Sequence, residues 1–298
     1  MTDNRLPPDP RAIGPLARCR QDIDRHVYDA AYQGEPGAFS EQAAWRLVGR
    51  DAALLPCPTL PDVFDAIRER RAAEAVVPVE NSLAGTVPRA YELLMTYGLA
   101  ARAEVRVHID HMLIAHPSAR LSDIKRVLSH PVALDQCRHF IQSHGLAAVP
   151  VFDTAGAVNL VMREADRSAA AIASRRAADL HAAAILAEGI QDHDENWTRF
   201  LRLSAAHEPG GAIGQKAIVI FELPHTCGSL GRALAHLATL GLNLTKIESR
   251  PIPGRPFEYS FIVEMTCGEA PPRWSEWLHG FGSFVSSLQL AGVFDQSS

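Results

Sequence analysis

Thr198, Arg199 and Phe200 set a hydroxyl, a guanidinium and an aromatic ring in consecutive positions, directly behind Glu195, Asn196 and Trp197. A Thr hydroxyl is a poor acid in bulk water, yet it can donate a hydrogen bond to an oxygen on which charge is growing. The neighbouring Arg can clamp a carboxylate in a two-pronged contact, or pair with a structural acid. Glu80, Asn81, Ser82 and Thr86 form a second polar group, in a connection that follows an apolar run. Asn and Ser can donate to carboxylate or hydroxyl oxygens; the same side chains can also bond within their own loop and cap the helix beyond it. Gly34, Gly37 and Ser40 make a G-x-x-G-x-x-S spacing. Free amides at a helix start favour an anion there, and plain turn geometry explains the spacing equally well.

A metal reading is weaker. His108, His111, His116, His130, Cys137 and His139 lie close in the chain, but their spacings match no standard zinc pattern. Gln191 to Asn196 clusters carboxylates without the Gly-centred spacing of a calcium loop. No metal is expected.

The elements that must carry these residues alternate. Residues 27–34 read as a short strand, 37–49 as a helix closed by Gly49, and 73–82 as a buried strand. A helix should start near Pro88, since Pro suits a first turn. Residues 103–116 alternate in polarity, with Val105, Val107 and Ile109 on one face, and suggest one half-buried strand. Further strands are expected at 124–129, 147–152 and 169–174, with a helix over 131–145. Ser174 should cap another helix running to Gly189. Alternating strands and helices argue for α/β layers with a largely parallel sheet, in which ligands gather beyond the carboxyl ends of strands. The polar groups at 80–82, 129–131, 153–156 and 198–200 all fall at such ends. Residues 204–216 read as a linker, after which strand, helix, strand, strand, helix, strand follow. That order makes a small antiparallel sheet with two helices on one face.

The bulk numbers bound the function. The chain has 298 residues, 47% hydrophobic and 21% charged, with net charge −5. This is soluble globular composition of two or three domains. No basic surplus points to nucleic acid, and no apolar run approaches the roughly 20 residues of a membrane helix. The start of the chain lacks the apolar core of a signal peptide. Five scattered cysteines without a C-x-x-C read as reduced thiols in a cytoplasmic protein.

The order of motifs adds a resemblance. G-x-x-G-x-x-S, then PVENSLAGTV, SHPVALDQC, DTAGAV, IAS and ENWTRF, followed by GLNLTKIESRP, strongly resembles prephenate dehydratase with a C-terminal ACT regulatory domain, over about residues 28–293. The resemblance implies an N-terminal arm (1–27), a two-lobed, periplasmic-binding-protein-like α/β catalytic domain (28–205), a linker (206–215) and a βαββαβ, ferredoxin-like ACT domain (216–293). Lobe one would hold about 28–103 plus a return segment ending near 203.

It implies decarboxylative dehydration of prephenate to phenylpyruvate in phenylalanine biosynthesis, with arogenate dehydratase or a non-catalytic amino-acid sensor as alternatives. No cofactor is implied: the electrons freed by the ring carboxylate expel the 4-hydroxyl and leave a benzene ring, so no external sink is required. Thr198 would be catalytic, with Asn81, Ser82, Thr154, Arg199 and Phe200 binding substrate and Glu80 serving as scaffold. Gly228, Ser229, Leu230, Asn243, Leu244, Glu248, Ser249 and Arg250 would hold phenylalanine as a feedback ligand, unless the C-terminal module is a structural dimerisation unit. A homodimer or homotetramer is the implied assembly. Val132 departs from the family's usual Gln, Cys227 from its Pro and Ser229 from its Ala.

Overall fold

The computed structural model describes residues 28–205, 214–252, 254–268 and 274–295. The expected N-terminal arm and most of the expected linker lie outside them. Lobe one contains β1 (Tyr28–Gln33), α1 (Phe39–Val48), β2 (Leu54–Cys57), α2 (Leu60–Arg68), β3 (Ala72–Asn81), β4 (Gly85–Thr86), α3 (Pro88–Tyr97) and β5 (Leu99–His108). Lobe two contains β6 (Met112–Ala115), β7 (Arg126–Ser129), α4 (Pro131–Gln136), α5 (Arg138–Ser143), β8 (Ala147–Pro150), α6 (Thr154–Glu164), β9 (Ala169–Ala173), α7 (Arg175–Leu180) and β10 (Ala184–Ala187). The chain then returns to lobe one as β11 (Trp197–Ala205). The C-terminal unit contains β12 (Lys216–Glu222), α8 (Ser229–Thr239), β13 (Asn243–Ile252), β14 (Arg255–Thr266), α9 (Trp274–His279) and β15 (Ser287–Phe294).

Local chemistry explains many of these boundaries. Thr59 and Asp62 form a reciprocal capping box at the start of α2, whose Leu60, Val63, Phe64 and Ile67 turn one apolar face to the core. Pro88 opens α3, and Gly98, in the left-handed region, closes it. Ser174 caps α7 by accepting from the Ala177 amide, as its position suggests. No helix among the described residues is long and apolar enough to cross a membrane.

Two sheets result. The larger runs β13-β14-β12-β15-β5-β11-β3-β1-β2, with β4 beside β3, and the smaller runs β10-β6-β9-β7-β8. Neither is largely parallel. β11 lies antiparallel to both β3 and β5, and β6 antiparallel to β9 and β10. A chain that leaves one lobe and comes back must insert a returning strand, which alternation along the sequence does not reveal. Within the C-terminal unit the sheet is antiparallel, in the βαββαβ order expected.

Three further expectations need correction. Residues 103–116 are two strands in different sheets, because the chain crosses between lobes at Ile109–His111. There Ile109 N donates to Asn196 O, and His111 N donates to Gln191 Oε1. The helix beginning after Ser174 ends at Leu180, and residues 184–187 become an edge strand. Ala182 turns the chain with φ +48°, and the sheet edge outweighs alanine's helix preference. The helix over 131–145 is two short ones, broken at Cys137, whose backbone (φ −116°, ψ 24°) leaves the helical region.

Candidate functional site

Thr198 and Asn81 are direct partners across the β11–β3 pairing, and Arg199 faces Glu80 one step along. Successive strand residues point to opposite sides. Thr198 and Phe200 therefore face a cavity of about 480 Å³ between the lobes, while Arg199 points into the protein behind it. Lobe one contributes the stretch around Gly34–Ser40 and the turn from Asn81 to Val87. Lobe two contributes the starts of α4 and α6, with His130, Gln136 and Thr154.

One side-chain chain crosses the wall from lobe two to Thr198. Gln136 Oε1 accepts from Asn196 Nδ2 at 3.0 Å and lies 3.1 Å from His111 Nε2. Asn196 is fully buried, and its Oδ1 accepts from Asn81 Nδ2 at 2.8 Å. Asn81 Nδ2 also donates to Thr198 Oγ1 at 2.9 Å. Burial pushes His111 below its ordinary range, the Gln136 contact only partly opposing it. A neutral imidazole facing an amide oxygen is assigned as its Nε2–H donor. The direction of donation then carries a consequence. Because Thr198 Oγ1 accepts from Asn81, its own hydrogen is left for a ligand in the cavity.

Asn81 Oδ1 accepts from the amides of Leu83 and Ala84, at 3.0 and 2.8 Å, so the same residue holds the turn that forms the cavity's edge. Thr154 lies at the wall where α6 begins, beside the capping carboxylate of Asp153, which accepts from Gly156 N at 2.7 Å. Helices α1 and α6 both start at the cavity, and helix starts carry partial positive charge and unpaired amides. Among the described residues lining the cavity there is no Lys or Arg.

Two expected binding residues lie elsewhere. Ser82 Oγ donates to Glu195 O at 2.8 Å and accepts from Trp197 N at 2.9 Å, so it bolts two backbone segments together and does not line the cavity. Arg199 is 8% exposed. It makes a two-pronged pair with Glu264 of β14, at 2.8 and 2.9 Å, and also donates to Glu80 and Glu104. Burial disfavours its charge, but Glu264 and the neighbouring acids outweigh this and raise its pKa. Burial likewise pushes the Glu264 carboxyl up, yet Arg199 and Lys216 hold it down to about 2. Of the two roles open to Arg199 in the sequence, the geometry matches the structural pair. Glu80 is bound by Arg199 and Lys246 and does not line the cavity.

Gln136, Asn196, His111 and Thr86 also belong to the site. Gln136 and Asn196 lie inside the motifs SHPVALDQC and ENWTRF, so their types were visible. Their mutual contact spans 60 residues and was not.

The C-terminal residues fall in two places. Ser229 and Leu230 line a cavity of about 290 Å³ with Pro224, Tyr259 and Phe261, at the start of α8, next to Gly228. Asn243, Leu244, Glu248, Ser249 and Arg250 lie along β13, an edge strand beside β14, and do not line that cavity. Glu248 pairs with Arg250 and Lys246, and Arg250 pairs with Glu92 of α3.

A family model described as prephenate dehydratase matches residues 30–208, which include all of the cavity's described lining. The chain belongs to the prephenate dehydratase family. Arogenate dehydratase 2 of Petunia hybrida is 38% identical, the alignment covering 90% of this chain and 72% of that protein. A bifunctional N-acyl-homoserine lactone acylase/prephenate dehydratase of Komagataeibacter europaeus is 34% identical, over 90% and 95% of the two chains. The solved prephenate dehydratase of Arthrobacter aurescens, in complex with L-Phe, is 30% identical and superposes with a TM-score of 0.80 over 90% of each chain. Membership makes this chain a lyase of the prephenate/arogenate dehydratase class, acting on a small molecule of aromatic amino acid biosynthesis.

Proposed function

We propose that this chain converts prephenate to phenylpyruvate, with Thr198 assisting departure of the ring hydroxyl and phenylalanine acting as feedback ligand on a C-terminal ACT domain. The reading rests above all on Thr198 Oγ1, which accepts from Asn81 and keeps its hydrogen free at the cavity wall. In the elimination the bond from the ring to its carboxylate breaks and carbon dioxide leaves. The electron pair moves through the diene and the ring C–O bond breaks. Thr198 donates a hydrogen bond to the departing oxygen as its charge grows, an interaction worth about 10²–10³ in rate. The cavity volume suits a small molecule. In this reading the amides at the starts of α1 and α6, with the Thr154 hydroxyl, receive the carboxylates, since no Arg or Lys is among the described residues lining the cavity.

Arogenate is the second reading, favoured by the name of the Petunia relative. It presents an ammonium where prephenate has a keto group. The acylase named for the Komagataeibacter relative would call for an activated nucleophile. Thr198 is bonded here to an amide rather than to an imidazole or carboxylate.

The ACT reading draws on the βαββαβ order, on the cavity beside α8, which mixes apolar and polar lining, and on the bound L-Phe named for the Arthrobacter structure. Ser229 bonds Thr226, and Arg232 donates to Cys227 O, so the two departures sit in a loop tied to itself. A homodimer or homotetramer and a cytoplasmic location complete the proposal. The deciding experiment measures product from prephenate and from arogenate, each with and without phenylalanine. Phenylpyruvate formation suppressed by phenylalanine is the expected result. Turnover of arogenate alone would replace the substrate assignment, and indifference to phenylalanine would remove the regulatory one.

A further inference from the structure

Behind the Thr198–Asn81 wall lies a set of charges drawn from both the catalytic lobe and the C-terminal unit, continued outward from Lys246 through Glu248 and Arg250. Glu80, Glu104 and Glu264 meet Arg199, Lys216 and Lys246, three acids against three cations. Tyr91 adds a hydroxyl that donates to Glu264 at 2.6 Å. Two of the six members come directly before or after a cavity residue in sequence: Glu80 precedes Asn81, and Arg199 follows Thr198. The one that reaches furthest forward is Lys246, from β13. Its Nζ donates to Thr86 Oγ1 at 2.6 Å and to Glu80 Oε1 at 3.0 Å. Thr86 lines the cavity and pairs with Glu80 across the β3–β4 hairpin, whose turn holds Asn81 to Ala84.

We propose that Lys246, from the C-terminal unit, is a positioning residue for the reaction: by gripping Thr86 and Glu80 it sets the hairpin that carries Asn81 and closes the cavity. The physical case has three parts. The Lys246 side chain is 11% exposed and bound on both sides of the hairpin, so its contacts are charge-assisted and little screened. Glu80 answers to the same contact: burial pushes its carboxyl up, but Lys246 and Arg199 hold it below the ordinary range. Finally, a catalytic wall held from behind loses rate steeply on small displacement; a shift of 1 Å can cost about 100-fold. The catalytic lobe is therefore incomplete without β13, and a ligand that moved β13 would act on the cavity through one side chain.

This inference assumes the dehydratase reading only for its kinetic arm. Lys246→Met in the full chain should lower kcat about 10- to 100-fold with KM changing less than about threefold. Lys246→Arg, which keeps a charged donor, should recover much of the loss. Arg255→Met removes an exposed cation of the same unit, paired with Glu222 away from the cavity, and should leave kcat unchanged. Amide hydrogen exchange is the second arm and needs no turnover. The Leu83 and Ala84 amides should exchange about tenfold faster in Lys246→Met under conditions where the protein remains folded. Wild-type chain inactive on both substrates, with exchange accelerated as stated, would discard the activity and keep the positioning role. Unchanged kcat in an active enzyme, or unchanged exchange at Leu83 and Ala84, overturns the inference. So does loss confined to global stability, with Met and Arg variants equal in kcat.

Discussion

At the residue scale the site turns on which way a hydrogen points. Asn81 donates to Thr198, so the threonine hydroxyl is offered to the cavity rather than consumed by the wall. Thr198→Ala should lower kcat by about 10²–10³ with little change in ligand binding, and Thr198→Ser should keep part of the rate. Asn81→Asp is the sharper test, because it preserves shape and reverses polarity. An ionised Asp can only accept, so it would draw the Thr198 hydrogen to itself. A kcat loss of the same order as Thr198→Ala is expected from steady-state kinetics. Near-normal turnover in Asn81→Asp would mean that the donor to the substrate lies elsewhere. Thr198 and Phe200 stood out in the sequence by type. Arg199 stood out too, and its burial away from the cavity follows from strand alternation once residues 197–205 are known to be a strand. Ser82 offered no such signal, since only its backbone partners at 195 and 197 show that its hydroxyl is occupied.

At the element scale the two lobes touch where the loop before α1 meets the start of α7. Ser174 Oγ donates to Gly37 O at 2.6 Å, and a Cβ on Gly37 would lie 2.8 Å from Ala177 Cα. Gly37 also has φ +95°, a region that L side chains rarely adopt. Gly37→Ala should therefore cost about 1–3 kcal/mol of stability and hold the lobes apart. The kinetic signature would be a raised KM, since α1 and α6 start on opposite sides of the cavity. Calorimetry and steady-state kinetics check the two parts, and a variant with native Tm and KM would show that the contact is dispensable. The glycine spacing at 34–40 was legible as a turn before a helix. That its purpose includes a close approach to a helix about 140 residues later was not.

At the scale of the whole molecule, the buried charge cluster ties β3, β5 and β11 to β12, β13 and β14. Within the larger sheet the C-terminal strands meet the catalytic ones at a single paired position: β15 meets β5 through the Gly292–Ala101 bridge, where a Cβ on Gly292 would lie 2.6 Å from Ala101. Arg199→Met should destabilise the protein by about 3–5 kcal/mol, because it takes from the buried Glu264 and Glu104 one of the two cations they share, leaving Lys216 to serve both. Denaturant unfolding would report it, and a loss near zero would show the cluster to be replaceable by apolar packing. The cluster also makes stability depend on acid. Glu264 has its ordinary value at 4.5 and a folded value of about 2. Its contribution is complete above pH 4.5 and is lost as pH falls toward 2, an effect of about 3 kcal/mol. Glu80 shifts in the same direction. Glu264→Gln should lower stability at neutral pH and flatten the slope between pH 4.5 and 2; an unchanged slope would assign the acid sensitivity to other carboxylates.

By itself the sequence determined the chemistry on offer, the order of the motifs, and most elements whose periodicity is local: α1, α3, β3 and the whole βαββαβ run. These depend on neighbours within a turn or two, which the chain carries in writing. The tertiary structure decided everything that depends on a distant partner: the split of residues 103–116 between two sheets, the strand at 184–187 where alanine favours helix, and the burial of Arg199 against acids from positions 80, 104 and 264. Polarity and propensity are read residue by residue. Which charge meets which, and on which side of a strand, is set only when segments far apart in the chain share one sheet.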